Sequence, residues 1–112
     1  MNAPDQRSKN IGIIAYLTII GWIIALVMNN EKQSDYAAFH LRQMLGIMLT
    51  GLAINALTWI QFDYGSFHFA DRILQALILV IWLFGFIPAL QGEKKPVPFL
   101  GEYYQEWFKS LG

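Results

Sequence analysis

MLGIMLTGLAINALTWIQF, residues 44–62, is a run of 19 residues without a charged side chain. Coiled as an α-helix it would be about 28 Å long, close to the hydrocarbon thickness of a bilayer at about 30 Å. Two further charge-free runs flank it, IGIIAYLTIIGWIIALVM (11–28) and ILQALILVIWLFGFIPAL (73–90), of 18 residues each. Three such runs in 112 residues predict a small polytopic membrane protein with transmembrane helices over 11–28, 44–62 and 73–90.

Composition agrees. The chain is 55% hydrophobic and 14% charged, with a mean hydropathy of +0.37. Residues 1–112 read as a single integral membrane domain, because the three runs leave no room for a soluble module. Charged residues fall only in the ends and loops, as expected when an ionised side chain at mid-depth costs several kcal/mol. Net charge is zero and the pI is 6.7, so no basic field recruits nucleic acid. Cysteine is absent, which excludes disulfides, thiol catalysis and Cys-ligated metals.

The first run exceeds a signal-peptide core and is followed by Val27, Met28, Asn29 and Asn30 without a small-x-small cleavage site. It is therefore expected to be retained. No lipidation motif stands at either end.

Residues 1–10 read as a polar tail. Ser34 and Asp35 form a helix start, a capping hydroxyl followed by an acid near the positive end of the helix dipole. Nothing breaks the helix from Asp35 to Phe62, so 35–43 reads as an interfacial helix or extension before the second span. Pro88 fits a kink or an end to the third span. Residues 91–99 form a Pro-bounded linker. Beyond it Leu100, Tyr103, Tyr104, Trp107, Phe108 and Leu111 recur at helical spacing, with Glu102, Gln105, Glu106, Lys109 and Ser110 opposite. This predicts an amphipathic helix over 100–111 that lies on the membrane interface or docks on the spans.

With three spans the two ends face opposite sides. Lys32, Arg42, Lys94, Lys95 and Lys109 then outnumber Arg7, Lys9 and Arg72, five against three, which favours the first loop and C-terminus in the cytoplasm.

Two groups of residues stand out. Phe39–His40–Leu41–Arg42–Gln43 is the densest polar cluster beside a span. Arg42 can reach headgroups, and His40 shares a helix face with Tyr36 and Gln43. The cluster reads as an interfacial anchor or as part of a site with the linker, whose Gly92, Lys95, Pro96 and Pro98 fall on the same side. Within the spans, Gly51, Asn55 and Thr58 share one face, and Gly85 and Ala89 form a small-xxx-small pair. These are expected to pack helices within the chain or between copies. A polar path lined by Asn55, Thr58 and Gln75 is the alternative. His68 and Asp71 could supply two metal ligands, but no third is near, so no metal and no cofactor is expected.

No ionisable residue lies within the runs, and no catalytic triad, phosphate loop or paired intramembrane carboxylate is present. An enzyme is not expected.

Tyr16–Leu17, Gly21, Phe39, His40, Gln43, Ala89, Gly92, Pro96 and Pro98 stand where a family of small bacterial membrane proteins of unknown function carries the same residues. That family is similar in turn to the multispanning subunit of the chloroplast inner-envelope protein-import machinery. The resemblance covers residues 11 to 101. Leu41 and Pro88 depart from its pattern, and the plastid relatives have four spans. It implies a multi-pass protein of the bacterial inner membrane, surrounded by lipid and assembling with itself or another membrane protein. The function it implies is at most import-component-like, and the residues themselves point to a non-enzymatic structural or accessory component acting through helix–helix assembly. The alternative is a small oligomeric channel or transporter subunit.

Overall fold

The computed structural model describes residues 5–61 and 68–111, without the side chains of 58–61 and 68–70. These residues form five α-helices: α1 (Gln6–Ala15), α2 (Ile19–Lys32), α3 (Asp35–Gln61), α4 (His68–Gln91) and α5 (Gly101–Trp107). The all-α expectation holds. The boundaries teach more.

The run 11–28 is not one helix. Thr18 adopts an extended conformation in its middle, and its hydroxyl accepts from the Gly21 amide at 2.9 Å, capping a new helix. The chain then folds back. A Cβ on Gly21 would sit 2.6 Å from the Ile14 carbonyl oxygen, so glycine permits the close return. At the open end of the hairpin Lys32 pairs with Asp5 at 2.6 Å, and Arg7 lies 3.8 Å from Glu31. With 10 and 14 residues, α1 and α2 are about 15 and 21 Å long, shorter than a span. The expected first span is thus an antiparallel helical hairpin. Part of the expected polar tail is helical too, since α1 starts at Gln6.

Asn29 ties the next turn: its amide accepts from the Ser34 N–H at 2.9 Å and donates to the Ser34 carbonyl at 3.3 Å. Ser34 in turn accepts from the Ala37 amide at 3.2 Å and opens α3. The segment 35–43 is no separate interfacial helix, because α3 runs on through it without interruption. The core explains why. Ala37 and Leu41 close over Ile11, Ala15 and Ala25 of the hairpin, which gives the first turns of α3 a buried face.

α4 returns antiparallel to α3 and extends the predicted 73–90 at both ends. Pro88 lies inside it, and the helix ends three residues later at Gln91. Gly92, with φ 75°, supplies the left-handed residue, and the Glu93 amide bonds back to the Pro88 carbonyl at 2.9 Å, a Schellman closure. Among the described residues two stretches are long and apolar enough to cross a membrane, Asp35–Leu57 of α3 and Asp71–Gln91 of α4.

The predicted 100–111 helix shortens to α5, which docks on α3. Gln105 donates to the Phe39 carbonyl at 2.8 Å, while the Tyr104 hydroxyl reaches Thr50. The aromatic stripe splits accordingly. Tyr104 is buried, its ring lying flat on Gly46, whereas Tyr103 and Trp107 stay exposed.

This topology puts Asp5, the 33–34 turn, the linker and the C-terminus at one end of the molecule, and the Asp71 end of α4 at the other.

Candidate functional site

The two polar segments singled out in the sequence do meet. His40 projects from α3 toward the linker, and its Nε2 lies 2.8 Å from the Glu93 carbonyl. A carbonyl only accepts, so Nε2 carries the proton. In the neutral imidazole Nδ1 is then an acceptor, and the Tyr16 hydroxyl, at 2.7 Å, donates to it. Gln43, one turn along α3, donates from Nε2 to the Tyr16 oxygen at 3.0 Å and to the Lys95 carbonyl at 3.3 Å. Its Oε1 accepts from the Val97 amide at 2.8 Å. Tyr36 adds a bond from its hydroxyl to the Ala89 carbonyl.

The result is a directed chain, from Gln43 to Tyr16 to His40 to the backbone of the linker. His40 and Gln43 are both 0% exposed, and no buried side-chain nitrogen or oxygen among the described residues lacks a partner. Edge-on ring contacts from Tyr16, Tyr36 and Phe39, with centroids 4.7 to 5.4 Å away, enclose the imidazole. These bonds tie the linker to α3 and to the end of α1.

Tyr16 is the residue that sequence reasoning missed as a site member. It ends the first helix of the hairpin, and its carbonyl accepts from the Trp82 indole at 2.8 Å. Trp22 does the same for the Leu41 carbonyl at 2.9 Å. One signal was available: a tyrosine in the middle of an apolar run needs a partner for its hydroxyl.

The other singled-out residues divide. Phe39 offers its ring to His40 and its carbonyl to Gln105. Arg42 points away from the cluster, and its guanidinium holds the Leu111 and Lys109 carbonyls, both at 3.0 Å. Gly92 terminates α4. Lys95 contributes its carbonyl, while its ammonium pairs with Glu93 at 3.4 Å. Pro96 packs on Gly101, where a Cβ would come within 2.5 Å of it. Pro98 is exposed and starts the tight turn that places Phe99 at φ 69°.

Among the packing candidates, Gly85 and Ala89 are buried, but the close partner of Gly85 is Tyr16, 2.8 Å from a Cβ built there. Gly51 meets only Ile78, at an ordinary 3.6 Å. Gly46, not singled out, makes the tightest approach. Asn55 and Gln75 bond to each other across α3 and α4 at 2.5 Å. The side chains of Thr58 and His68, and all of Phe62, lie outside the described residues. No group of three or more metal-binding side chains occurs among the described ones.

Outside the spans, the Lys32 ammonium beside Asp5 holds that carboxyl well below the usual carboxylate range, with the Ser8 hydroxyl and amide acting in the same direction.

No family model matches the chain, and no solved structure matches it. Its sequence is similar to that of a UPF0132 membrane protein of Methanocaldococcus jannaschii, with 27% identity over 107 residues that cover 88% of this chain and 71% of the relative. The chain thus resembles a membrane protein and carries two helices able to cross a membrane.

Proposed function

We propose that this protein is a non-enzymatic structural or accessory component of a cell membrane, a two-span hairpin with a hydrogen-bonded cap on one face. The observation that supports this most is the use of the polar cluster. Tyr16, His40 and Gln43 spend their hydrogen bonds on one another and on the linker backbone, which suits a lock and not a reaction centre.

In this reading α3 and α4 cross the bilayer, and the α1–α2 hairpin enters from one side and returns. Arg7, Lys9, Lys32, Arg42, Lys94, Lys95 and Lys109 then lie on one face and Arg72 on the other, seven against one. That ratio supports a cytoplasmic cap, in the bacterial inner membrane for a bacterial source, far better than the five to three of a three-span chain. The finer role, an accessory to polypeptide import, rests on the family resemblance alone.

Single cysteines in this cysteine-free chain test the arrangement. Gln6→Cys, Asn30→Cys and Ser110→Cys should be protected together from an impermeant thiol reagent in intact cells, with Ser66→Cys labelled. Gln6→Cys reacting together with Ser66→Cys would make residues 11–28 a span and overturn the hairpin reading. Any substrate turnover that disappears in His40→Ala while the fold is retained would overturn the non-enzymatic one.

A further inference from the structure

The docking of α5 on α3 fixes how this short helix is turned about its own axis. Gln105 donates to the Phe39 carbonyl, toward the cap end of α3, while the Tyr104 hydroxyl meets Thr50, about three turns further along. Tyr103 and Trp107 stand two residues before and two after Gln105. At about 100° per residue both fall on the edge of α5 opposite it, so that edge faces away from the cap and down α3. Trp107 bears this out, lining a groove of about 230 Å³ with Leu49, Thr50 and Ala53. The rings of Tyr103 and Trp107 lie 5.7 Å apart and are 57% and 64% exposed. Neither the phenol nor the indole N–H has a hydrogen-bond partner among the described residues. Glu102 and Glu106, on the side turned away from Tyr104, are exposed as well.

We infer that α5 is a lipid anchor on the cap-side leaflet, with Glu102 and Glu106 among the headgroups and the rings of Tyr103 and Trp107 in the lipid just below them. Three observations name the bilayer interface as the occupant. The first is depth: α5 docks level with the start of the charge-free run at Met44, where α3 passes from water into hydrocarbon. The second is rotation. Its polar edge faces the cap and its aromatic edge the bilayer interior, an order that a gradient from water to lipid imposes and a protein partner does not. The third is continuity, since the aromatic edge runs on into Leu49 and Ala53, which α3 exposes within its own apolar stretch. Tyrosine and tryptophan suit that level because an apolar ring enters the lipid while its hydroxyl or N–H finds water and headgroups. One face of α5 thus holds the protein and the next holds the membrane.

The anchor rests on the reading of α3 and α4 as spans, so a label on a span is measured beside it. Glu102→Cys, Tyr103→Cys, Trp107→Cys and Leu79→Cys, the last at an exposed position of α4, each carry a nitroxide in protein reconstituted in phosphatidylcholine vesicles. Circular dichroism should match that of the unsubstituted chain. Oxygen, which concentrates in hydrocarbon, and a neutral nickel chelate, which stays in water, are compared as relaxing agents. Tyr103→Cys and Trp107→Cys should give an oxygen-to-nickel ratio severalfold above that of Glu102→Cys and approaching that of Leu79→Cys. A ratio no higher than that of Glu102→Cys, with Leu79→Cys still dominated by oxygen, would overturn the anchor and leave the spans standing. Exclusion of both agents from Tyr103→Cys and Trp107→Cys would put protein in place of lipid and overturn it too. Nickel dominance at Leu79→Cys would instead remove the spans, and the anchor with them.

Discussion

The two ends of this molecule are held by different means. At the cap, short helices and a linker converge on Tyr16, His40 and Gln43, and buried polar atoms there are paired within the chain. At the far end only α3 and α4 remain among the described residues, joined by apolar contacts and the exposed Asn55–Gln75 bond. The difference shows where a small membrane protein concentrates specificity. Lipid covers a pair of apolar helices without any tertiary help, but a non-helical linker near the bilayer needs a donor or acceptor for every backbone group. The polar residues follow that need.

Gln43→Leu gives the largest effect and the sharpest form of the contrast. It removes the acceptor of the buried Val97 amide, the donor to the Lys95 carbonyl and one of the two bonds of the Tyr16 hydroxyl, which keeps His40. With the orphaned Val97 amide costing about 1–3 kcal/mol and each of the other two bonds about 1 kcal/mol, a loss of about 3 kcal/mol is expected in denaturant unfolding of the reconstituted protein. Gln75→Leu, by the same measurement, should change stability by about 0.5 kcal/mol or less, as for a substitution at an exposed position. Equal losses would break the comparison.

Glycines sharpen it next. Gly85→Ala drives a methyl into the Tyr16 ring, 2.8 Å away, in a site already closed by His40. Overpacking of this kind costs about 1–3 kcal/mol. Gly51→Ala meets Ile78 at an ordinary 3.6 Å and should be close to neutral. Thermal unfolding in detergent separates the two, and an equally damaging Gly51→Ala would show that the far seam is packed as tightly as the cap.

The sequence carried much of this, unevenly. Charge-free runs mark α3 and α4 because hydropathy measures what lipid selects. Ser34 marks the start of α3 because a cap hydroxyl is a local requirement. The meeting of Phe39–Gln43 with the linker was legible as a shared side of the membrane. The fold-back of 11–28 was not, since one Thr18 hydroxyl leaves mean hydropathy unchanged. Nor was the division between Tyr104 and Tyr103, which depends on which face of α5 meets Gly46 and Thr50 of α3. Tyr16 was hidden for a related reason: only the hairpin turn brings its hydroxyl to His40.

A smaller effect belongs to Arg42. Its guanidinium holds the Lys109 and Leu111 carbonyls beyond the end of α5, and the bonds are partly exposed. Arg42→Met keeps the apolar stem and removes the donors. About 1 kcal/mol of local stability should go with them. Faster amide exchange confined to α5 and the residues after it is the expected readout, with the amides of the linker unchanged. If the linker amides also speed up, the C-terminal clamp and the Gln43 lock act as one unit and the cap is less modular than its hydrogen bonds suggest.

The smallest effect lies at the open end of the hairpin and depends on pH. Asp5 is held below its ordinary carboxylate range, first by Lys32 and then by Ser8. A depressed folded-state value means that the charged form favours the closed hairpin. That contribution is complete above the unfolded carboxylate value of about 3.9 and is lost as pH falls toward the lower folded one. Asp5 is exposed and Lys32 half-buried, so salt should weaken the pair as acid does. Amide exchange at residues 8 and 9, whose N–H groups bond to Asp5, should therefore speed up slightly below pH 4 and in high salt. In Asp5→Asn the pH response should vanish while the Ser8 cap persists, because an amide oxygen still accepts that bond. Persistence of the response in Asp5→Asn would overturn the assignment of the titration to Asp5.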